Sequence, residues 1–274
     1  MAGHFARPRL RRLLMAALLW LALPVQAVEM AAMPILQVAL GENKPPYIIA
    51  DESRGIEYEL VSSVLRAAGY QPRILLLPNQ RAQQALADGR IDAAISNDGP
   101  FVSEPYIAYR NMAITLCQRH LQLKRIAELG QYRVAAFHNA HRFLGAEFAA
   151  MTRSNAAYVE SSPQEILNNL LFTGRTDVVI SDLYIFLHFA QQPDVPLNNR
   201  QPLCTHALFP PTQYALSFRD PRVRDRFNKA LQQQSQAGLY QALALRYRLP
   251  GQSQPLFRPQ PAGSSALRPT LGAG

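Results

Sequence analysis

Few side chains in this chain have the type and spacing for chemistry, and they are scattered. His138 and His141 stand three apart, the spacing of two ligands on one helical turn. No third ligand lies near them in sequence, and imidazoles at a helix start more often cap it or meet an anion, so no metal site is expected. No Ser-His-Asp order, phosphate loop or dinucleotide fingerprint falls at a strand-to-helix turn. Asp182 follows a buried apolar run. A carboxylate there either caps the next helix or needs a cationic partner, because an uncompensated buried charge is costly. Glu42 and Tyr47 fall in Gly41-Glu42-Asn43-Lys44-Pro45-Pro46-Tyr47, a loop because its two prolines forbid ladder pairing.

The elements that must position these groups alternate. Residues 35–40 read as a buried strand. From Gly55 the residues Ile56, Leu60, Val61, Val64, Leu65 and Ala68 form one helical face, ended by Gly69 at a left-handed cap. A strand at 73–77, a helix from Asn79 to Ala87 ended by Gly89, and a strand at 91–96 come next. Such alternation specifies a parallel sheet with helices on its faces, which binds ligands beyond the carboxyl ends of its strands. The segments to inspect are therefore 41–47 and 96–106. A second alternation begins after an extended run at 111–116. It comprises a strand at 133–137, a helix at 141–151, a strand at 157–159, a helix from Ser162-Pro163 to Phe172, a strand at 178–180, and Asp182 leading a helix to Phe189. Two such units in tandem give two α/β lobes. Residues 214–218 read as a strand crossing back and 221–247 as a helix. Beyond Pro250 the composition turns to Gln, Pro, Ser and Gly without period, and 251–274 is expected to be a disordered tail.

Composition excludes several classes. With 274 residues, 48% hydrophobic and 17% charged, the chain can bury a core. Its +9 charge is misleading, because residues 1–27 and 251–274 hold six of the 28 basic residues and no acid. The remaining 22 basic residues face 19 acidic ones, which argues against a nucleic-acid binder. Arg7, Arg9, Arg11 and Arg12 precede an eleven-residue apolar run from Leu13 to Leu23, followed by small residues to Ala27. That is the layout of a secretory signal over 1–27, cleaved after Ala27, and the run is too short to span a membrane. The expected compartment is a bacterial periplasm. There Cys117 and Cys204 would either bridge, closing a loop of nearly ninety residues, or remain two buried thiols.

The order of several short motifs carries a resemblance. Gly41 through Tyr47, Gly55-Ile56-Glu57-Tyr58-Glu59-Leu60, Ala85-Leu86-Ala87-Asp88-Gly89-Arg90-Ile91-Asp92-Ala93, Ser103-Glu104-Pro105-Tyr106, Gly174-Arg175-Thr176-Asp177-Val178 and Ala237-Gly238-Leu239-Tyr240 together resemble the family 3 extracellular solute-binding proteins, periplasmic receptors of amino-acid ABC importers. The resemblance spans roughly 35–249. It implies a type II-like periplasmic-binding-protein fold with two hinge strands, at about 111–117 and 213–218. Lobe 1 would be 28–112 plus 214–250 and lobe 2 would be 113–213. The implied function is binding of a small polar, amino-acid-like or amine-bearing solute between the lobes, as a monomer without cofactor, for delivery to a membrane permease.

By the same resemblance Tyr47 would lie over the ligand or else pack half-buried, and Glu42 would meet a basic ligand group or stay solvated. Tyr106 would touch ligand or core, and Asp182 would pair with the ligand ammonium while able to cap its helix. Asn97 lies where the family carries a carboxylate-binding Arg after the 91–96 strand, in the shortened run Ser96-Asn97-Asp98-Gly99-Pro100-Phe101. The family's Gly-Ser/Thr turn is replaced by His138-Asn139-Ala140-His141, so the α-carboxylate clamp is expected to be missing unless Arg81 substitutes. An enzyme of the dehydratase type, with Asp182, His138 or Glu42 as acid or base, and a stand-alone sensor are the alternatives on the same scaffold.

Overall fold

The computed structural model describes residues 1–3, 32–191 and 201–260. The expected signal and its cleavage point after Ala27 lie outside the described residues, as does 261–274. Residues 1–33 form one unit and 34–274 another, and every helix and strand named below belongs to the second. No helix of the described residues is long and apolar enough to cross a membrane.

The first lobe begins with β1 (Ile35–Leu40), α1 (Ile56–Ala67), β2 (Gln71–Leu76), α2 (Asn79–Ala87), β3 (Ala93–Ile95) and β4 (Phe101–Val102). The chain leaves it along β5 (Ile107–Tyr109). It then builds the second lobe from β6 (Asn111–Leu116), β7 (Val134–Phe137), α3 (Ala140–Phe143), α4 (Ala146–Ser154), β8 (Tyr158–Ser161), α5 (Ile166–Phe172), β9 (Val178–Asp182), α6 (Leu183–Ala190) and β10 (Leu203–His206). It returns along β11 (Thr212–Tyr214) and completes the first lobe with β12 (Leu216–Phe218), α7 (Pro221–Gln236) and α8 (Leu239–Arg246). Sheet order is β2-β1-β3-β12-β4 in the first lobe and β10-β6-β9-β7-β8 in the second. In each, four strands share one direction and one runs against them, β12 in the first sheet and β6 in the second. β5 and β11 pair only with each other and form the two-stranded connection. This is the two-lobe α/β architecture that the alternation of elements specifies.

The crossing strands fall one element earlier than expected. Residues 111–116 are a full strand of the second sheet, and the connection is 107–109 with 212–214. The physical reason is long-range in sequence: the amide of Arg110 turns to the Asp182 carboxylate at 2.7 Å, and the amide of Ala215 turns to Asn97 Oδ1 at 2.9 Å. Each crossing strand ends where a side chain takes its next amide.

Gly238, at φ 86°, divides the expected helix 221–247, and Gly145, at φ 91°, divides 141–151. The helix expected from Ser162 begins only at Ile166. Cys117 and Cys204 form a disulfide that staples the end of β6 to β10. The tail is also corrected. Residues 251–260 hold no helix or strand, yet Phe257 is fully buried and Leu256 packs against the cores of both lobes. Two large apolar side chains outweigh the polar composition around them.

Candidate functional site

The loop after β1 and the helix after it are built together. Gly55, at φ 131°, lets α1 start directly beneath the loop, where any side chain would collide with the Tyr47 carbonyl. The amides of Ile56 and Glu57 then donate to the carbonyls of Pro46 and Tyr47. This fixes Tyr47 facing inward, 1% exposed, and buries Glu57 completely.

In the second lobe, β9 delivers Asp182 to the same place from the other side. Its carboxylate caps α6 by accepting the amides of Tyr184 (3.0 Å) and Ile185 (3.2 Å), and it also accepts the amide of Arg110. The Tyr47 hydroxyl donates to both Asp182 oxygens at 3.1 and 3.2 Å. The loop after β1 and the end of β9 therefore meet across the junction of the lobes. Burial pushes the Asp182 carboxyl up to about 6, against the lowering effect of these hydrogen bonds. Burial also raises Tyr47 well above the ordinary tyrosine range, so it is a neutral donor at physiological pH.

A second buried carboxylate lies beside the first. Glu57 accepts the hydroxyls of Tyr106 and, at 2.6 Å, of Tyr109. The Tyr109 ring lies 4.1 Å from that of Tyr47 between centroids, and the edge of Tyr214 meets it at 5.2 Å. The Lys44 ammonium stands 4.3 Å over the Tyr109 ring, a cation–π contact. Neither Glu57 nor Asp182 forms an ion pair with a described residue.

The turn at 138–141 has its own internal anion. Glu160, at the end of β8, accepts the amides of Asn139 (2.7 Å) and His141 (3.1 Å), the His141 ring at Nδ1 (2.7 Å) and the Tyr158 hydroxyl (2.7 Å). Partial burial alone would raise this carboxyl, but the His141 and Tyr158 hydrogen bonds hold it down at about 2. The donors of this turn are occupied by the protein itself.

The sequence-derived candidates thus separate into two groups. Tyr47 and Asp182 are brought together, and Asp182 takes the capping role considered for it. Tyr47 is buried instead of lying open over a cleft. Tyr106 is fully buried, with its hydroxyl donating to Glu57 and its carbonyl accepting the Tyr240 hydroxyl. Asn97 is exposed, but both ends of its amide are used, by Ala215 N and Gln213 O. Glu42, Arg81 and His138 are exposed and join none of these networks. Sequence reasoning misses Glu57, Tyr109, Arg110 and Glu160. Glu57 stands within a motif that carries the resemblance by its pattern alone, and nothing local marks Glu160 as the partner of a turn twenty residues earlier.

No protein-family model matches the chain, and no curated protein matches it in sequence. Solved structures do match. An ancestral arginine-binding protein bound to arginine is 17% identical, with a TM-score of 0.55 over 79% of this chain and 99% of its own. The L-cystine solute receptor of Neisseria gonorrhoeae, in an unliganded open conformation, is 15% identical, with a TM-score of 0.56 over 78% of this chain and 93% of its own. An amino acid ABC transporter substrate-binding protein from Streptococcus pneumoniae, bound to L-arginine, is 19% identical, with a TM-score of 0.53 over 78% and 94%. At these identities the likeness establishes the fold, that of the two-lobe solute-binding proteins, over nearly the whole length of each.

Proposed function

We propose that this protein is an exported family 3 solute-binding protein that captures a small polar solute at the junction of its lobes for an ABC permease. One observation carries the reading: Tyr47, in the loop that follows β1 of the first lobe, and Asp182, the last residue of β9 of the second, hydrogen-bond at 3.1 Å. That is where open α/β sheets take ligands. A ligand entering there contacts both lobes and so favours their closed arrangement by its differential affinity.

The groups already satisfied at the site support one solute class. A free α-carboxylate is not favoured: no Arg lies between Ser96 and Tyr109, Arg110 Nε is engaged by Leu256 O, and Glu160 takes the amides of Asn139 and His141. An ammonium, by contrast, finds Asp182 once it displaces the Tyr47 hydroxyl. The favoured solute is cationic or neutral and polar, and ordinary amino acids bind weakly. The enzyme reading is not favoured, because Asp182 is committed to four donors while Glu42 and His138 stand exposed.

A thermal-shift screen of amines, amino acids, sugars and small acids on the protein lacking 1–27 tests this, since any solute binding only the native state raises the midpoint. A cationic hit whose affinity falls in Asp182→Asn supports the reading. Tight binding of a standard amino acid, lost in Arg81→Ala, would show instead that Arg81 supplies the clamp. Continuing heat and a new product in calorimetry would make it an enzyme.

A further inference from the structure

Residues 250–260 do more than end the described chain. The Tyr184 hydroxyl, at the start of α6, donates to Pro250 O and accepts Leu256 N, both at 3.1 Å. Arg110 Nε donates to Leu256 O at 3.0 Å. The two connecting strands hold the segment as well: Ala108 N of β5 donates to Phe257 O at 2.8 Å, and Gln213 Nε2 of β11 donates to Gln260 O at 3.2 Å. Phe257 is buried against Tyr184 and Tyr240, the Arg258 guanidinium covers the Tyr240 ring, and Leu256 touches the cores of both lobes.

Two of these anchors have a second task. Arg110 and Tyr184 hold the segment with their side chains and hold the Asp182 carboxylate with their backbone amides, at 2.7 and 3.0 Å. The same two residues therefore link this segment to the Asp182 carboxylate, which the Tyr47 hydroxyl ties to the first lobe.

We propose that residues 250–260 are a strap across the connecting strands which positions Asp182 through Arg110 and Tyr184 and limits how far the lobes part. Asp182 makes no ion pair with a described residue, so its orientation is set by its hydrogen-bond donors, and two of those donors are locked only while the strap is docked. Loosening the strap frees Arg110 and the first turn of α6, weakens the Tyr47–Asp182 tie and lets the lobes open. The consequence for ligand affinity rests on the binding-protein reading; the coupling of strap to Asp182 does not.

The test uses the full chain without ligand. Tyr184→Phe removes both strap hydrogen bonds at that hydroxyl, and Leu256→Ala loosens the strap from its own side, far in sequence from Asp182. Amide exchange is followed by NMR, with the radius of gyration measured by solution scattering. Each variant is expected to speed exchange about tenfold or more at Ala108 and Leu256, and also at Arg110, Tyr184 and Ile185, with a larger radius of gyration. The β1, β7 and α7 amides should keep their protection. Faster exchange confined to Ala108 and Leu256 would overturn the coupling, and no change at any of these amides would overturn the strap. Acceleration spread evenly over both lobes would overturn it too, because the segment would then be ordinary core. A failed ligand screen leaves all of these readouts intact, so the two proposals fail separately.

Discussion

Replacing Glu160 by Gln removes the charge that organises the 138–141 turn while keeping the side chain's size. The carboxyl is held down from 4.5 to about 2, with its side chain 16% exposed. At ~1.4 kcal/mol per factor of ten, this corresponds to about 3 kcal/mol of stability at neutral pH. Water reaches His141, 41% exposed, and screens part of the interaction, so about 2 kcal/mol is the expected loss. The sign is set by a folded-state value below the unfolded one. The contribution is complete above about pH 4.5 and disappears as pH falls through about 2. Urea unfolding followed by circular dichroism should therefore separate wild type from Glu160→Gln by about 2 kcal/mol at pH 7, and the two should converge towards pH 2. A gap that stays constant from about pH 7 to about pH 2.5, or one below about 0.5 kcal/mol at neutral pH, would refute the assignment of Glu160 as the anion of this turn.

Asp182 titrates in the opposite sense. Its folded-state value, about 6, lies above the ordinary 3.8, so it disfavours the folded state increasingly as pH rises from about 4 to about 6, by about 3 kcal/mol in all. In Asp182→Asn that part of the stability-versus-pH slope should vanish; an unchanged slope would assign it to another group. Reducing the Cys117–Cys204 bridge, which closes a separation of 87 residues, should cost about 2–4 kcal/mol and lower the melting temperature, and Cys117→Ser should match reduced wild type in the same melting experiment. Trp20, the one tryptophan of the chain, lies in the expected signal. Protein purified after export should therefore emit as tyrosine near about 300 nm, and an indole band would mean that 1–27 was retained.

Legibility in the sequence tracks the range of the interactions. Local signals specify β1, α1 with its stop at Gly69, and α2 with its stop at Gly89, because apolar spacing and a left-handed glycine act within one element. Asp182 as a cap is legible for the same reason: its donors are two and three residues away. The bounds of the crossing strands are not legible, because Arg110 and Ala215 break their ladders through Asp182 and Asn97, which stand 72 and 118 residues away. The division of 221–247 is signalled by Gly238 but masked by a strong apolar stripe. Tyr47 is legible as important but not as buried, since its burial depends on Gly55 bringing α1 under the loop. The order in 251–260 is hidden because Phe257 finds its partners, Tyr184 and Tyr240, only in the assembled fold.

Asn97 comes just after β3 and Asp182 ends β9, and each grips one of the two connectors, Asn97 at Ala215 and Asp182 at Arg110. Mechanically the connectors form an axle clamped once by each lobe, with the clamps at residues that belong to neither connector. A rigid rotation moves an atom in proportion to its distance from the axle, so under the proposed hinge motion Asn97 and Asp182 would shift little. Groups farther from the axle would sweep longer arcs; exposed positions on which this can be measured are Glu42 and His138 on loops and Arg81 in the first turn of α2. The clamps then define where the molecule bends, and the loop tips register how far it has bent. Reporter labels belong on the tips, and substitutions meant to change the preferred angle belong at the clamps.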